Sequence, residues 1–289
     1  MNITCFEDID WNALWHQARK KKSWRAKGAE DWDRRAPSFA RRTASSIYTE
    51  KFLQLLRPDQ DWSVLDVGCG PGSLTLPLAR KVRRVTALDF SRAMLDILER
   101  DAARQSVDNI TPVHLSWTDD WACHGLKPHD LAIASRSMAV PDLREALEKL
   151  NAFATRRVCV TDRVAHGPMD PDAFAALGRQ LESGPDYIYT VNLLYQLGYR
   201  ASVDFIELEK ELHYSSFAEA IESYTWMFRD LTAEEKQRLE GYIRSIATFH
   251  DDGPVTIHRH HPPTWAFISW EPRQERNRGF SCKDCHLGI

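Results

Sequence analysis

Residues 64–74 read VLDVGCGPGSL, and this stretch decides the fold. Its apolar start predicts a buried strand, its three glycines predict a tight turn, and residues 73–80 predict a helix. Glycine adopts positive φ and carries no side chain, so such a turn lets a ligand approach the backbone closely. The first turn of the helix adds free backbone N–H donors. The stretch therefore predicts a nucleotide-type binding site.

The spacing of the glycines separates two kinds of nucleotide site. Dinucleotide-binding turns follow the pattern G-x-G-x-x-G, whereas this turn is G-x-G-x-G, with Ser73 in place of the third glycine. Asp66 stands two residues before the turn, and a carboxylate pointing into the turn would repel a pyrophosphate. The same carboxylate suits a ligand with an ammonium or sulfonium group. A cationic nucleoside is therefore expected rather than a dinucleotide.

The stretch resembles the first motif of the class I S-adenosylmethionine (SAM)-dependent methyltransferases. The resemblance runs over residues 62–161 and resumes more faintly near Trp265. It implies a doubly wound α/β fold with a seven-stranded, mostly parallel sheet in the order 3-2-1-4-5-7-6, the last strand antiparallel. It also implies SAM as the cofactor, bound at the turn by Asp66, Gly68, Cys69, Gly70 and Gly72.

An acidic residue ends the second predicted strand, over residues 84–90. Asp89 lies 23 positions after Asp66, and an acid about 20 positions past a glycine turn is placed to accept the ribose hydroxyls. The resemblance gives Asp89 this role and puts Phe90 beside the adenine ring. The alternative is that Asp89 or Ser91 caps the next helix.

The third predicted strand lies within residues 110–121 and ends in a polar turn. The resemblance places the adenine at this turn and makes Asp119 and Asp120 candidates to bind its exocyclic amine. The acid that is usual in the family falls closer to Trp117, so the register of this match is open. The alternative is a solvated turn in which Trp117 and Trp121 pack against the core.

The fourth predicted strand, residues 130–135, is followed by Arg136. Carboxyl ends of parallel strands face the ligand cleft, so Arg136 is expected near the methyl acceptor. It would bind an anionic acceptor, or else a helix C-terminus or a carboxylate of the chain. Residues 135–138 read SRSM rather than an NPPY-type sequence, which argues against methylation of adenine amino groups in nucleic acid.

The rest of the pattern predicts the chain's organisation. Further strands are expected over residues 157–161, 201–208 and 264–270, and further helices over 91–104, 142–153, 217–228 and 233–249. The resulting domains are an N-terminal helical cap or lid (1–57), a SAM-binding domain (58–271) with helical insertions at about 163–200 and 217–263, and a mobile tail (272–289).

Aromatic residues suggest what the acceptor is. Tyr48, Tyr187 and Tyr189, with Trp32 and Phe39, are expected near the mouth of the cleft, where they would suit a flat or partly apolar ligand. The alternative is ordinary packing in the core. A general base would be needed only for an acceptor that must lose a proton, and no catalytic residue is singled out. Histidines at 213, 250, 258, 260 and 261 are candidate bases.

Charge argues for a small-molecule acceptor. The net charge is −3 and the isoelectric point is about 6.4, so no general attraction to nucleic acid is implied. Residues 19–42 nevertheless contain ten Lys or Arg and only three acids, which is typical of a solvated helix face or of a polyanion-binding surface. A small-molecule methyltransferase is predicted. The alternatives are an RNA- or protein-directed methyltransferase and a non-catalytic SAM-binding regulator.

The sequence also predicts the surroundings of the protein. No apolar run approaches the roughly 18 residues of a membrane span, and the N-terminus does not read as a signal peptide, so a cytoplasmic protein without a membrane partner is expected. Cys282, Cys285 and His286 form C-x-x-C-H, but haem attachment through this pattern requires export. A reduced tail without metal is favoured over a zinc site completed by the histidines at 258–261.

Overall fold

The structure is organised around the strand of the glycine stretch, β1 (Ser63–Val67), in which every residue is buried. The computed structural model describes residues 5–23, 28–43 and 46–273. The later strands in this part of the chain are β2 (Arg84–Asp89), β3 (Ile110–His114), β4 (His129–Ser135), β5 (Ala154–Arg163), β6 (Ser202–Glu207), β7 (Glu211–Tyr214), β8 (Ala247–Phe249), β9 (Val255–His258) and β10 (Thr264–Trp270). They form a sheet of seven strands and a sheet of three.

The larger sheet has the order β3-β2-β1-β4-β5-β10-β6. Strands β1 to β5 pair in parallel, and β10 runs antiparallel to both β5 and β6. The predicted fold class and strand order are therefore confirmed, with β10 as the last strand of this sheet. Because the carboxyl ends of the parallel strands meet at one edge, the glycine turn, Asp89 and Arg136 lie along the same edge.

Helices cover both faces of the large sheet. The α-helices of the described residues are α1 (Trp11–Lys21), α2 (Ala29–Thr43), α3 (Ile47–Leu56), α4 (Thr75–Ala79), α5 (Arg92–Arg104), α6 (Leu143–Ala152), α7 (Pro171–Ala176), α8 (Tyr187–Gln196), α9 (Phe217–Thr225) and α10 (Ala233–Ser245), of which α7, α9 and α10 belong to the small sheet. Side chains alternate along a strand, so Val64 packs with α3 and α4 while Leu65 packs with α1, α6 and α8. Helix α5 joins the face of α4.

The small sheet has the order β7-β9-β8 and packs with α7, α9 and α10. The predicted helix over 233–249 is wrong at its end, because α10 ends at Ser245 and β8 follows it, so the predicted helical insertion at about 217–263 also contains strands. Thr248 of β8 pairs with Thr256 of β9. Strands of three or four residues contain too few alternations to be distinguished from a helix by their pattern. The other predicted insertion, residues 163–200, contains α7 and α8.

The three N-terminal helices lie in three different places. Helix α1 packs beside α6, where the side chains of Asn12 and His16 each lie 2.8 Å from the Asp142 carboxylate. Helix α2 packs on the outer side of α5, and α3 packs directly on the sheet. Apart from its first two residues, the predicted tail 272–289 is outside the described residues, and so are Cys282, Cys285 and His286.

Metal sites and membrane-spanning helices are both absent from the same described ranges. No group of three or more His, Cys, Asp or Glu residues there is arranged to hold a metal ion. No helix of that part of the chain has both the length and the apolar character needed to cross a membrane. Its cysteines, Cys5, Cys69, Cys123 and Cys159, are free thiols.

A buried ion pair holds the small sheet and its helices together. Asp170, just before α7, is fully buried, and its Oδ2 lies 3.4 Å from Nε of Arg259, which is 5% exposed. The hydroxyls of Tyr224 in α9 and Tyr242 in α10 each donate to the same Asp170 oxygen over 3.1 Å. Burial, together with the charge of Asp170, raises the pKa of both tyrosines. The carboxylate therefore ties three helices and one strand end to a single point.

Removing the cation of this pair is expected to destabilise the fold. Arg259→Met leaves a buried carboxylate without its counter-charge, which typically costs about 3–5 kcal/mol of unfolding free energy. The double variant Arg259→Met/Asp170→Asn removes both charges and is expected to recover most of the loss. Urea unfolding followed by circular dichroism measures both values. A single variant within 1 kcal/mol of the parent would contradict this account.

Candidate functional site

The glycine turn is fastened to the end of β2. The backbone N–H groups of Gly68 and Cys69 donate to the Leu88 carbonyl over 2.7 and 3.1 Å, and Gly70 N–H donates to the Asp89 carboxylate over 2.8 Å. All three glycines of the turn have positive φ, between 55° and 86°. These values are costly for any residue with a Cβ, so the sequence needs glycine here.

The three glycines differ in what surrounds them. A Cβ on Gly68 would collide with the side chain of Ser137, and one on Gly72 would collide with Leu98 of α5. A Cβ on Gly70 would meet only the ring of Phe39, at 3.9 Å. Gly68 and Gly72 therefore allow the chain to pack against itself. At Gly70 the ring of Phe39 is the only neighbour at this distance among the described residues, so a ligand can approach the backbone there without meeting a wall of the fold.

Asp89 ends β2 directly beside Gly70. It is 5% exposed, and its second oxygen accepts a hydrogen bond from the Ser91 backbone N–H over 2.9 Å. Burial raises the pKa of this carboxyl, and the hydrogen bonds from Ser91 and Gly70 oppose that rise. Ser91 itself caps α5, since its side chain accepts from the backbone N–H of Met94. Each oxygen of Asp89 keeps a lone pair for a ligand hydroxyl.

Asp66 lies beneath the turn and does not point into it. It is 1% exposed, on the same face of β1 as Val64, and it accepts a 2.7 Å hydrogen bond from the Thr75 hydroxyl in α4. Burial, with a smaller contribution from the charge of Asp89, raises its pKa to about 7, and the hydrogen bond from Thr75 opposes that rise. The expectation of a carboxylate aimed into the turn is therefore corrected.

Helix α2 closes over this edge of the sheet. Asp33 accepts a 2.5 Å hydrogen bond from the Ser91 hydroxyl, and Phe39 lies above Gly70 with its ring centre 5.4 Å from that of Trp32. The Ser73 hydroxyl donates to Thr43 Oγ1 over 2.6 Å. Sequence reasoning missed Asp33, because it stands with Glu30 and Asp31 and nothing in the pattern distinguishes it from them. Both Trp32 and Phe39 pack against Met94 and Ile97 of α5.

The turn after β3 has the geometry of the solvated alternative. Asp119 accepts from the Ser116 backbone N–H over 2.6 Å, and Asp120 accepts from that of Cys123 over 3.0 Å. These hydrogen bonds lower the pKa of both carboxyls. Trp121 is buried, and its ring centre lies 5.5 Å from that of the partly buried Trp117. Both aspartates thus stabilise the turn itself. Phe90 is also partly buried, and its carbonyl accepts from His114.

Arg136 adopts a strained backbone conformation at the end of β4. Its φ is 56°, its backbone N–H donates to the Thr161 hydroxyl over 2.9 Å, and its guanidinium lies 4.1 Å above the ring of Tyr48. The Tyr48 hydroxyl hydrogen-bonds Ser135 and Thr161 over 2.7 Å each. Among the described residues Arg136 has no ion-pair partner. A half-buried cation at a strand end is thus held in place and left available.

The expectation that Tyr48 lines the mouth of the cleft is wrong. Tyr48 is 1% exposed and supports Arg136 from beneath, because Ser135 and Thr161 satisfy its hydroxyl in the interior. Tyr187 and Tyr189 are partly buried in α8. The ring of Tyr187 packs edge-on against Phe205, and that of Tyr189 packs against Trp11. The structure therefore places these two rings in the packing around α8.

The histidines considered as bases lie in or beside the small sheet. Both His213 and His250 hydrogen-bond the Thr256 hydroxyl, over 3.0 and 2.9 Å. His260 lies 2.8 Å from an Asp172 oxygen, and His258 lies 3.5 Å from Glu211. Each of these rings already has a polar partner within the chain.

The glycines of the turn are expected to respond differently to alanine. Gly70→Ala should weaken SAM binding at least tenfold at a stability cost of about 1–2 kcal/mol, because its Cβ would meet only the ring of Phe39 and only the positive φ is penalised. Gly72→Ala should cost about 2–4 kcal/mol of unfolding free energy, because the collision with Leu98 adds to that penalty. Calorimetric titration and urea unfolding of both variants provide the comparison. Unchanged SAM affinity in Gly70→Ala would refute the approach of SAM to this backbone.

Comparison with known proteins agrees with this geometry. Residues 64–155 match the family model described as "Methyltransferase domain". An uncharacterized protein of Haemophilus influenzae is 35% identical over 243 residues, which cover 83% of this chain and 88% of that protein. The 23S rRNA (uracil(1939)-C(5))-methyltransferase RlmD of an Enterobacter species is 29% identical over 138 residues, covering 46% of this chain and only 31% of RlmD.

Solved structures agree on the fold. The YcgJ protein of Bacillus subtilis superposes with a TM-score of 0.54 at 12% identity, covering 78% of this chain and 98% of that one. An identity this low supports the fold alone. The match of the glycine turn and β1–β4 to the family model adds the activity, methyl transfer, and the cofactor, SAM. The chain belongs to the class I SAM-dependent methyltransferases.

Proposed function

We propose that this methyltransferase acts on a small acceptor that carries an anionic group, bound at the carboxyl edge of the large sheet. The observation that carries the proposal is the guanidinium of Arg136. It follows β4 at the edge where the glycine turn lies, and its backbone and its ring contact with Tyr48 hold it there. A preorganised arginine suits carboxylate or phosphate oxygens, because its planar fork can donate two parallel hydrogen bonds.

A second group of cations supports an anionic acceptor. Arg163 ends β5, and its guanidinium donates to the carbonyls of Ser183 and Pro185. Burial and the nearby charges of Arg19, Arg163 and Arg229 lower the pKa of Lys22 to about 8. Cations are thus concentrated beside the end of β5, where the carboxylates of Asp162 and Asp186 also act on Arg163. Positive charge at this strand end agrees with an anionic acceptor.

The cofactor is assigned to the opposite part of the same edge. In this proposal SAM lies against Gly70, the ribose hydroxyls donate to Asp89, and the charge of Asp66 below the turn favours the cationic methionine end. The remaining assigned contacts are the backbone of Gly68, Cys69 and Gly72, the ring of Phe90 beside the adenine, and the turn carrying Trp117, Asp119 and Asp120 at its outer edge. Both aspartates already accept hydrogen bonds from backbone N–H groups. The exocyclic amine of the adenine would therefore donate to a carboxylate that has another donor as well.

The N-terminal helices favour an acceptor of limited size. Residues 1–57 are proposed to act as a cap, in which α2 covers the glycine turn through Phe39 and Asp33. The basic residues predicted as one surface are divided, since Arg19 stacks on Trp15 of α1 while Arg34 pairs with Asp31 in α2. A continuous polyanion-binding helix face therefore finds less support than an enclosed site.

Methyl transfer from SAM requires mainly that the protein align the methyl donor with the acceptor. Methyl transfer is an in-line displacement at carbon, and holding donor and acceptor in line while excluding water supplies much of the rate. If the reacting group of the acceptor is already ionised or is a free amine, no general base is required. The positions of the five candidate histidines, in or beside the small sheet, agree with such an acceptor.

The acceptor class is tested by methyl transfer from labelled SAM into separated pools. Anionic metabolites, neutral and cationic metabolites, and total RNA are offered in parallel. We expect label in the anionic small-molecule pool, because the cations at this edge compensate its charge. Label in RNA that is lost after ribonuclease treatment would instead favour the RNA-directed alternative, and SAM binding without transfer to any pool would favour the regulator.

Arg136 is expected to act on the acceptor and not on SAM. Arg136→Gln should raise the KM for the identified acceptor at least tenfold, with the Kd for SAM changed less than twofold, because only the anion loses its partner. Arg136→Lys should recover part of the loss, since a point charge remains without the fork. The matched control is Arg92→Gln, which breaks a surface pair with Asp96 on α5. An unchanged KM in Arg136→Gln would contradict the proposal.

A further inference from the structure

A groove of about 560 Å3 lies at the edge of the large sheet opposite to the glycine turn. Its walls come from the first residues of β5 and β6, the last residues of β10 and the segment that joins α8 to β6. The volume is within the range of about 300–1,000 Å3 that is usual for small-molecule sites. Nothing in the methyl-transfer chemistry uses this groove.

The strand register separates the groove from the methyl-transfer site. Arg157 at the groove is level with Leu131 of β4, which is level with Val64 of β1. The glycine turn begins four residues after Val64, which is roughly 13 Å further along the strand direction. It also lies two strands away across the sheet. A ligand of ordinary size in the groove would therefore not reach the cofactor.

The groove carries excess positive charge. Its ionisable lining is four arginines and one glutamate, namely Arg156, Arg157, Arg200, Arg273 and Glu271. Arg156 is paired with Asp130, with Nε 3.1 Å from the carboxylate. In the described ranges, the other three arginines form no ion pair with any carboxylate. Neighbouring positive charges repel one another, and a bound anion would reduce that repulsion.

Two of these arginines are held by the fold. Arg157 donates from its two terminal nitrogens to the Leu56 carbonyl over 2.8 Å and to the Ser269 hydroxyl over 3.1 Å. Arg273 donates to the Gly198 carbonyl and stacks on the ring of Tyr199. A Cβ on Gly198, whose φ is 82°, would collide with that guanidinium. A glycine thus makes room for Arg273, and both side chains are preorganised at the groove.

We propose that this groove is a second ligand site, and that it binds a group with two or more phosphates. Three guanidiniums that form no ion pair within the described ranges suit several anionic oxygens better than one carboxylate, and arginine forks match phosphate geometry. The Ser269 hydroxyl accepts from Arg157 and keeps its own hydrogen to donate. The phosphate chain of a free nucleotide and the 5′-triphosphate end of an RNA carry the same chemistry.

Titration of the full-length protein with tripolyphosphate tests the site. At 0.15 M salt we expect saturable binding with one site per chain, and the same Kd in the presence of saturating SAM. The double variant Arg200→Gln/Arg273→Gln should weaken tripolyphosphate at least tenfold and leave the Kd for SAM unchanged. The matched control is Arg80→Gln, an exposed arginine that bonds Gln105 and does not line the groove, and it should bind as the parent does.

Each other result decides against the proposal. Absence of saturable binding, equal binding by the double variant, or competition between tripolyphosphate and SAM would overturn it, the last by placing the anion in the cofactor cleft. The two possible ligands, a free nucleotide and an RNA end, are then distinguished by comparing the binding of a nucleoside triphosphate with that of short RNAs that end in 5′-triphosphate or 5′-hydroxyl. Binding of the free nucleotide identifies a metabolite site, and preference for the triphosphate-ended RNA identifies an RNA end.

Discussion

The hydrogen bond from Gly70 N–H to the Asp89 carboxylate is the contact on which the rest of the site depends. It fixes the middle of the glycine turn to the end of β2, so that the open side of Gly70 and the free lone pairs of Asp89 face the same space. The other oxygen of Asp89 holds the backbone of Ser91, and the Ser91 hydroxyl in turn holds Asp33 of α2. One carboxylate therefore connects the turn, the start of α5 and the covering helix.

The two buried carboxylates below and beside the turn also suggest how charge is used. Burial raises the pKa of both Asp66 and Asp89, which means that folding alone disfavours their ionised forms. In the proposed binding mode a sulfonium and an ammonium approach these groups and favour ionisation. The demethylated product has lost the sulfonium charge. The same carboxylates would therefore stabilise the substrate form of the cofactor more than its product, which assists exchange after transfer.

The order of the large sheet could be predicted because the features that indicate it extend over many residues of the sequence. Buried strands such as residues 64–67, glycine spacing and an acid at a fixed distance all survive without tertiary contacts. The failures have a different origin. Residues 247–249 form a strand only because β9 lies beside them, and Tyr48 is buried only because Ser135 and Thr161 hydrogen-bond its hydroxyl. The position of Asp66 was also missed, because its hydrogen-bond partner, Thr75, belongs to the following helix. Contacts that form only when the chain folds produce no repeating pattern of residues, so the sequence alone does not predict them.

Strand β5 passes from one proposed site to the other. Near its carboxyl end the Thr161 hydroxyl accepts a hydrogen bond from the backbone N–H of Arg136. Near its amino end Arg157 lines the groove proposed to bind phosphates. Between them Val158, Cys159 and Val160 are fully buried in the packed core. Such a core does not deform gradually, so coupling between distant sites needs an element with two discrete arrangements. A central strand paired on both sides with β4 and β10 offers no such alternative. Occupation of the groove should therefore stabilise the folded chain by mass action while leaving Arg136 and the glycine turn where they are.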